Sequence, residues 1–307
     1  MVDLPRFKGI PQRYVLTEED MNRLLTMPPE EIDSWSPVKV VILPDVETLY
    51  RTFAKSIAEK IKANNERGEL TKLILPVGPT PQYPILAEIT NRERISWKNV
   101  WTFNMDEYLD WQGRPIPEDH PMSFKGFMKR NLFNLISEEL RIPMNQAWFP
   151  DPFNPDAIDD KIRELGGVDT AYGGIGYHGH IAFNEPVDTY YVRLTPEEFK
   201  NSKTRVVELN SDTFVINSLC GIGGNPYGLP PRAVTIGMKP ILEAKTIELY
   251  CDGGDLNWQL ASFRIACMHP PTLDRPVTYV QEHPNPKETV TIYADARTAA
   301  PVKAAPK

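Results

Sequence analysis

The sequence VKVVIL occupies residues 38–43, DVETLYRTFAKSIAEKIKANN occupies residues 45–65, and KLIL occupies residues 72–75. The two short segments are almost entirely apolar, which is typical of strands buried on both faces of a sheet. In the longer segment an apolar residue recurs at every fourth position: Leu49, Phe53, Ile57 and Ile61. That spacing gives a helix one apolar face. A strand, a helix and a strand in this order predict two parallel strands joined by a helical crossover.

The same alternation continues along the chain. Further apolar runs occupy residues 100–105, 170–175, 233–238, 246–251 and 289–293, and helical patterns occupy residues 122–136 and 158–165. These patterns predict an α/β fold whose mostly parallel sheet is covered by helices on both faces. We expect one domain over residues 37–296, an N-terminal extension over residues 1–36 with a short helix at 17–25, and a flexible tail over residues 297–307.

Bulk composition disfavours several classes of protein. The chain of 307 residues carries a net charge of −7, which argues against binding to nucleic acid or to an anionic membrane through bulk charge. The three cysteines lack the spacing of metal ligands. Neither a signal-peptide pattern nor an apolar run of membrane-spanning length is present. We therefore expect a soluble, cytoplasmic protein that acts on a small molecule.

Ligands of such sheets bind at the carboxyl ends of the strands, so the residues that follow each strand are candidates for chemistry. Residues 72–75 are followed by Pro76-Val-Gly-Pro-Thr-Pro81. Thr80 before a proline fits a helix N-cap, and a turn containing Gly78 could hold an anion or hydroxyl groups with its N–H donors. A plain strand–helix connection is the alternative.

Two carboxylates, Asp106 and Glu107, follow the run at residues 100–105. Adjacent side chains of an extended chain point in opposite directions. One of them could therefore face the crevice while the other anchors a loop, and both are candidate catalytic residues. A structural ion pair is the alternative.

A glycine-rich turn follows the run at residues 170–175 and contains His178, His180 and Glu185. Imidazole titrates near neutral pH, and a nearby carboxylate can orient it. The combination of a strand end, a glycine turn and an acid favours a catalytic role for these three side chains. The glycines of the turn, Gly176 and Gly179, would let a substrate approach the backbone closely.

Two of these stretches, Phe103-Asn-Met-Asp-Glu-Tyr108 and Gly174-Ile-Gly-Tyr-His-Gly-His-Ile-Ala-Phe-Asn-Glu-Pro186, resemble the signature sequences of the glucosamine-6-phosphate deaminases. The loop at residues 75–86, His120-Pro-Met-Ser-Phe124 and Gln281-Glu-His-Pro-Asn285 resemble the same family. The resemblance is colinear over residues 38–295. It implies a doubly wound, Rossmann-like sheet and a homo-oligomer. It also implies aldose–ketose isomerisation with loss of ammonia, without an organic cofactor.

The resemblance also implies residue roles. Asp106 would move a proton between C1 and C2 of a sugar, His180 would open the pyranose ring, and Glu185 would orient His180. Gly78, Thr80, Gly176 and Gly179 would contact a sugar or sugar phosphate, and Arg205 would hold a phosphate.

The chain departs from the family pattern in two places. His178 occupies the position of an aspartate that would help to orient the catalytic imidazole. In addition, three phosphate-holding positions are changed, to Pro79, Leu219 and Leu256. We therefore hypothesise a substrate without a 6-phosphate, or one whose phosphate is bound by Arg205, Lys203 or Arg232, since a phosphate dianion without cationic partners is held poorly.

Two further hypotheses follow from the same residues. His178, His180 and Glu185 could bind a divalent metal such as Zn²⁺, which would make the protein a metal-assisted isomerase or hydrolase of an unphosphorylated sugar derivative. Alternatively, the chain could be a non-catalytic sugar sensor, although its retained acid and base residues favour an enzyme.

Overall fold

The structure, a computed structural model, describes residues 16–186, 194–254 and 257–303. Its main sheet has seven strands within these residues, in the order β1 (Lys39–Leu43), β10 (Val290–Asp295), β9 (Thr246–Cys251), β6 (Thr170–Gly173), β2 (Thr71–Leu75), β3 (Val100–Asn104) and β5 (Ala147–Trp148). All pairings in this sheet are parallel. The prediction of a doubly wound, mostly parallel sheet is confirmed.

Helices connect most of these strands. The α-helices of the described residues are α1 (Glu18–Thr26), α2 (Pro29–Trp35), α3 (Val46–Arg67), α4 (Gln82–Glu93), α5 (Phe124–Asn131), α6 (Asp156–Glu164), α7 (Pro196–Lys200), α8 (Ser211–Gly221), α9 (Met238–Leu242), α10 (Gln259–Met268) and α11 (Pro286–Thr289). Short 3-10 helices cover Phe133–Leu135, Met144–Gln146, Pro226–Gly228 and Pro276–Glu282. In the part of the chain that the structure describes, no helix combines the length and hydrophobicity needed to cross a membrane.

Two apolar cores cover the two faces of the main sheet. Ile74 of β2 lies in one core with Phe263 of α10, while its neighbours Leu73 and Leu75 lie in the other core with Phe53 of α3. All five side chains are fully buried. Because successive side chains of a strand point to opposite faces, an uninterrupted apolar strand needs helices on both sides.

A second, antiparallel sheet was not predicted. It consists of β4 (Asp106–Leu109), β8 (Arg232–Thr235) and β7 (Arg205–Glu208). The predicted strand at residues 233–238 is therefore wrong in its partner and in its end, because α9 begins at Met238. Apolar periodicity identifies a strand but carries no information about the strand with which it pairs.

The two ends of the described chain meet on α10. The guanidinium of Arg264 is fully buried and donates hydrogen bonds to the carbonyl oxygens of Leu24 at 3.1 Å, Ala299 at 2.6 Å and Ala300 at 3.2 Å. The N–H of Val302 also donates to the carbonyl of Leu25 at 2.9 Å. Part of the predicted extension (1–15) and of the predicted tail (304–307) lies outside the described residues.

Replacing Arg264 by methionine is expected to destabilise the protein strongly. Each buried carbonyl left without its donor costs about 1–3 kcal/mol, and three carbonyls lose their donor. Urea unfolding followed by circular dichroism measures the loss. The matched control is Arg92→Met, because Arg92 forms only exposed ion pairs with Glu88 and Glu93 and its removal should change the free energy of unfolding by less than about 1 kcal/mol. Equal losses in the two variants would contradict this account of Arg264.

Candidate active site

A cavity of about 420 Å³ opens at the carboxyl edge of the main sheet. Its walls are the loops that follow β2, β3, β6 and β9, together with one face of α8. Polar groups that line it include Gly78, Thr80, Asp106, Gly176, His180, Thr213, Asn217, Asp252 and Gln259. The cavity therefore lies where a parallel sheet is expected to bind its ligand, and the three strand ends selected from the sequence meet in it.

A larger groove of about 1050 Å³ lies at the opposite edge of the sheet. Its lining includes Lys72, Asp169 and Lys245, and the carboxylate of Asp169 lies 2.7 Å from the Lys245 ammonium and 3.9 Å from that of Lys72. These charges are paired with one another. The groove therefore offers less to a ligand than its size suggests.

Asp106 is the acid of the cavity. It is the first residue of β4, is only 7% exposed, and accepts no hydrogen bond from any residue that the structure describes. Burial raises the pKa of its carboxyl well above the usual range, and the neighbouring charge of Glu107 raises it further. Burying a carboxylate without a partner costs folding free energy, and such groups cluster at functional sites.

Glu107 points away from the cavity, which confirms that the two adjacent carboxylates diverge. Its oxygens accept hydrogen bonds from the Ser123 hydroxyl at 2.9 Å and from the N–H groups of Tyr108, Phe124 and Lys125 at 2.9 to 3.1 Å. Two of these N–H groups belong to the first turn of α5, where a negative charge is stabilised. Glu107 thus anchors a loop, as one of the two carboxylates was expected to do, and its assignment as a catalytic residue stays a prediction.

His180 and Glu185 form a buried pair in the loop that follows β6. The Nδ1 atom of His180 lies 3.7 Å from Oε1 of Glu185, and neither atom has a hydrogen-bond partner among the described residues. Burial, together with the charge of His178, lowers the pKa of His180 to about 3, so the imidazole is neutral at pH 7. Burial raises the pKa of Glu185, while N–H and hydroxyl donors oppose that shift.

His178 does not share a site with His180. Its Nε2 atom lies 2.8 Å from Oδ1 of Asp212, and the centroids of the two imidazole rings are 6.3 Å apart. Across residues 16–186, 194–254 and 257–303, no three His, Cys, Asp or Glu side chains are placed to bind a metal ion. The described residues do not bring the three side chains of the metal hypothesis together, and that hypothesis and the catalytic role of His178 stay predictions.

Glycine is needed at these positions of the two loops for different structural reasons. A Cβ atom on Gly176 would lie 1.9 Å from Nε2 of His180, and a Cβ atom on Gly174 would lie 2.4 Å from the carbonyl oxygen of Gly78. Gly78 and Gly176 line the cavity, whereas Gly179 has a φ of +68° and faces the side chains of Arg275 and Val277. Gly179 does not line the cavity, and its contact with the substrate stays a prediction.

Thr80 lines the cavity, but it is not a helix cap. The N-cap of α4 is Pro81, and no side chain caps this helix. The carbonyl of Thr80 accepts a hydrogen bond from the N–H of Tyr83 at 3.2 Å. The Thr80 hydroxyl, which lies at the cavity wall, therefore does not cap α4.

Among the described residues, no lysine or arginine lines this cavity. Arg205 donates to Asn184 Oδ1 at 2.9 Å, Arg232 donates to the carbonyl of Trp111 at 2.9 Å, and Lys203 lies 3.2 Å from Asp156. The guanidinium of Arg205 is thus hydrogen-bonded to the loop that carries His180 and Glu185, and its assignment to substrate binding stays a prediction. Leu219 is half exposed, and Leu256 lies outside the described residues.

Two walls of the cavity were not predicted from the sequence. Asp252, Trp258 and Gln259 follow β9, and the strand-end rule that selected the other loops would have found them. The wall formed by α8 had no such signal, because the polar and apolar residues of this helix are not segregated to opposite sides and do not show which side faces a ligand.

Several curated relatives share one name. The chain is 34% identical over 224 residues to a glucosamine-6-phosphate deaminase of Phocaeicola vulgatus, covering 70% of this chain and 78% of the relative. It is 30% identical over 260 residues to that of Rhodopirellula baltica, covering 81% and 91%. The same name belongs to a relative in Caenorhabditis elegans, which is 33% identical over 220 residues and covered to 76%. No family model matches the chain.

Solved structures agree on the fold. A monomeric glucosamine-6-phosphate deaminase superposes with a TM-score of 0.69 at 26% identity, over 85% of this chain and 99% of that one. A 6-phosphogluconolactonase from Thermotoga maritima superposes with a TM-score of 0.57 at 17% identity, over 83% and 98%. The second likeness concerns the fold alone.

Proposed function

Because the chain belongs to the glucosamine-6-phosphate deaminase family and is an enzyme of that type, we propose that its cavity converts an amino-sugar aldose to a ketose and releases ammonia. The observation that carries the proposal is the unpartnered carboxylate of Asp106 in the same cavity as the His180–Glu185 pair. No observation favours the alternatives of a metal-assisted hydrolase or a sugar sensor.

Asp106 acts as the base of the isomerisation. The carboxylate takes the proton from C2 of the open-chain sugar, and the C1 carbonyl oxygen gains a proton that the ammonium group of the sugar gives up, which forms an enolamine. The carboxylic acid then returns its proton to C1, which leaves an iminium group at C2, and water hydrolyses this group to a ketone and ammonia. One base can serve both carbons because they are adjacent and the substrate is held in place. The raised pKa of Asp106 brings its basicity closer to neutral pH, where proton transfer in both directions is efficient.

His180 opens the pyranose ring. A neutral imidazole can accept the proton of the C1 hydroxyl and return it to the ring oxygen. The lowered pKa of His180 keeps this acceptor available at pH 7. Glu185 is placed to accept a hydrogen bond from Nδ1, which leaves the other nitrogen for the sugar.

The substrate lacks a 6-phosphate in this proposal. Support comes from the charge of the cavity, whose described lining includes Asp106 and Asp252 but no cationic side chain. Such a lining suits a neutral hydroxyl or the ammonium group of an amino sugar, and a phosphate dianion would be left without an ion pair. The relatives are named for a phosphorylated sugar, so that ester is the natural comparison.

Glucosamine is expected to be turned over with a kcat/KM at least about tenfold higher than glucosamine 6-phosphate, which corresponds to about 1.4 kcal/mol in transition-state binding. Ammonia release and ketose formation are measured separately for each sugar. Inorganic phosphate serves as the control and should not compete with the substrate. A low KM for the phosphate ester together with competition by inorganic phosphate would overturn the assignment of the substrate and leave the chemistry standing.

A further inference from the structure

The N-terminal end of α8 contacts Glu185 directly. It also contacts His178, which lies two residues before His180. Asp212, the second residue of α8, lies 2.8 Å from Nε2 of His178. The N–H of Asn210, the residue before α8, donates to Oε2 of Glu185 at 2.6 Å. A single helical turn therefore reaches the loop of the imidazole and its carboxylate partner.

The turn that carries His180 is held from its other side as well. The N–H of Gly176 donates to the carbonyl of His180 at 2.9 Å, which closes the turn. Arg275 donates to the carbonyl of His178 at 3.2 Å, and the N–H of Val277 donates to the carbonyl of Gly179 at 2.8 Å. These bonds fix the backbone of the turn, whereas the carboxylate of Asp212 lies at ion-pair distance from the His178 side chain beside the catalytic imidazole.

The His180–Glu185 pair depends on this support. Its Nδ1 to Oε1 distance of 3.7 Å exceeds the length of a good hydrogen bond, which is about 2.7–3.2 Å. A shift of less than about 1 Å in either residue closes or opens the bond, and misplacements of that size can cost a catalytic group about 10²-fold in rate. Residues that hold His180 or Glu185 in place therefore affect the catalytic rate.

We propose that Asp212 is a positioning residue for the ring-opening step: through His178 it holds the turn of His180, while the same turn of α8 holds Glu185. The proposal rests on the proposed function for its rate effects but not for its structural effects. Asp212 is half exposed and lies outside the cavity lining, so it acts on the sugar only through His178 and His180.

Replacing Asp212 by asparagine is expected to lower kcat by about 10–100-fold and to leave KM within about threefold, because no contact with the sugar is lost. Asp212→Glu should recover most of kcat, since it restores the carboxylate. His178→Gln should lose as much as Asp212→Asn, and the double variant should lose no more, because the two residues act as one unit. The matched control is Asp160→Asn, which breaks an exposed helical ion pair with Arg163 far from the cavity and should change neither constant.

An unchanged kcat in Asp212→Asn, a change confined to KM, or additive losses in the double variant would each overturn the proposal. A readout independent of turnover is the ¹⁵N spectrum of the imidazoles, of which the chain has five. Asp212→Asn should shift the signals of His178 and His180 and leave that of His283 in place. If no amino sugar is turned over but the His180 signals shift, the proposed function fails and the positioning by Asp212 stands. If they do not shift, the positioning fails.

Discussion

Replacing Asp106 by asparagine is expected to lower kcat by about 10²–10⁴-fold, the range typical of a lost general base, and at the same time to stabilise the protein at neutral pH. The first effect follows because an amide cannot accept the C2 proton. The second follows because burial and Glu107 raise the pKa of Asp106, so its ionised form is disfavoured in the folded chain.

The stability gained by Asp106→Asn depends on pH. Between the ordinary pKa of 3.8 and the raised folded value, the native state binds more protons than the unfolded state, so stability falls as pH rises through this window. Asparagine does not titrate. The stability advantage of Asp106→Asn should therefore be absent below about pH 3.8, grow as pH rises through the window, and stay constant above it. Thermal or urea unfolding at a series of pH values measures it.

Asp110→Asn is the matched control. Asp110 lies four residues further on, and hydrogen bonds from the backbone N–H groups of Arg114 and Gln112 and from the side chain of Arg114 lower its pKa. Its carboxylate stabilises the folded state above the unfolded pKa, so the control should lose stability at neutral pH and keep its kcat. A fall in stability for Asp106→Asn at pH 7, or an unchanged kcat, would remove Asp106 from the proposed role.

Replacing Gly176 by alanine is expected to have the second-largest effect. The added Cβ atom would lie 1.9 Å from Nε2 of His180, so the ring or the turn must move. Overpacking of this kind costs about 1–3 kcal/mol of stability, and displacement of the imidazole should lower kcat by about 10²-fold or more. Steady-state kinetics and urea unfolding measure the two effects.

Two further variants test whether His180 is the reason for glycine at position 176: a control at another glycine and a double variant. Gly228→Ala places its Cβ atom 3.3 Å from the side chains of Asn225 and Ile222, which can give way, so its effects should be small. In a His180→Ala background, Gly176→Ala should lose most of its cost in stability, because the imidazole that it meets is absent. A cost that is the same in both backgrounds would show that His180 is not the reason for this glycine.

Position relative to a strand predicted much of the site. Asp106, His180 and Glu185 each follow a buried parallel strand, and a parallel sheet brings such ends to one edge. The divergence of Asp106 and Glu107 followed from the alternation of side chains along an extended chain. These inferences need only local sequence and sheet geometry.

The contacts of the other candidate residues depend on partners that are distant in sequence. Arg205 was assigned to a phosphate through the family resemblance, and its guanidinium reaches Asn184. His178 was considered a metal ligand because it is two residues from His180, whereas its ring lies against Asp212. Which neighbour a polar side chain finds is decided by tertiary packing, and no spacing rule in one sequence contains that information.

The meeting of both chain ends on Arg264 has a topological consequence. Residues 25 and 302 are joined by one hydrogen bond of 2.9 Å, so the chain from 25 to 302 is a nearly closed ring. A circular permutant could join the two ends with a short linker and be opened at an exposed loop, as chains with adjacent termini commonly allow. In such a permutant the buried arginine would fasten a continuous segment of chain, and the cavity would keep all four of its loops.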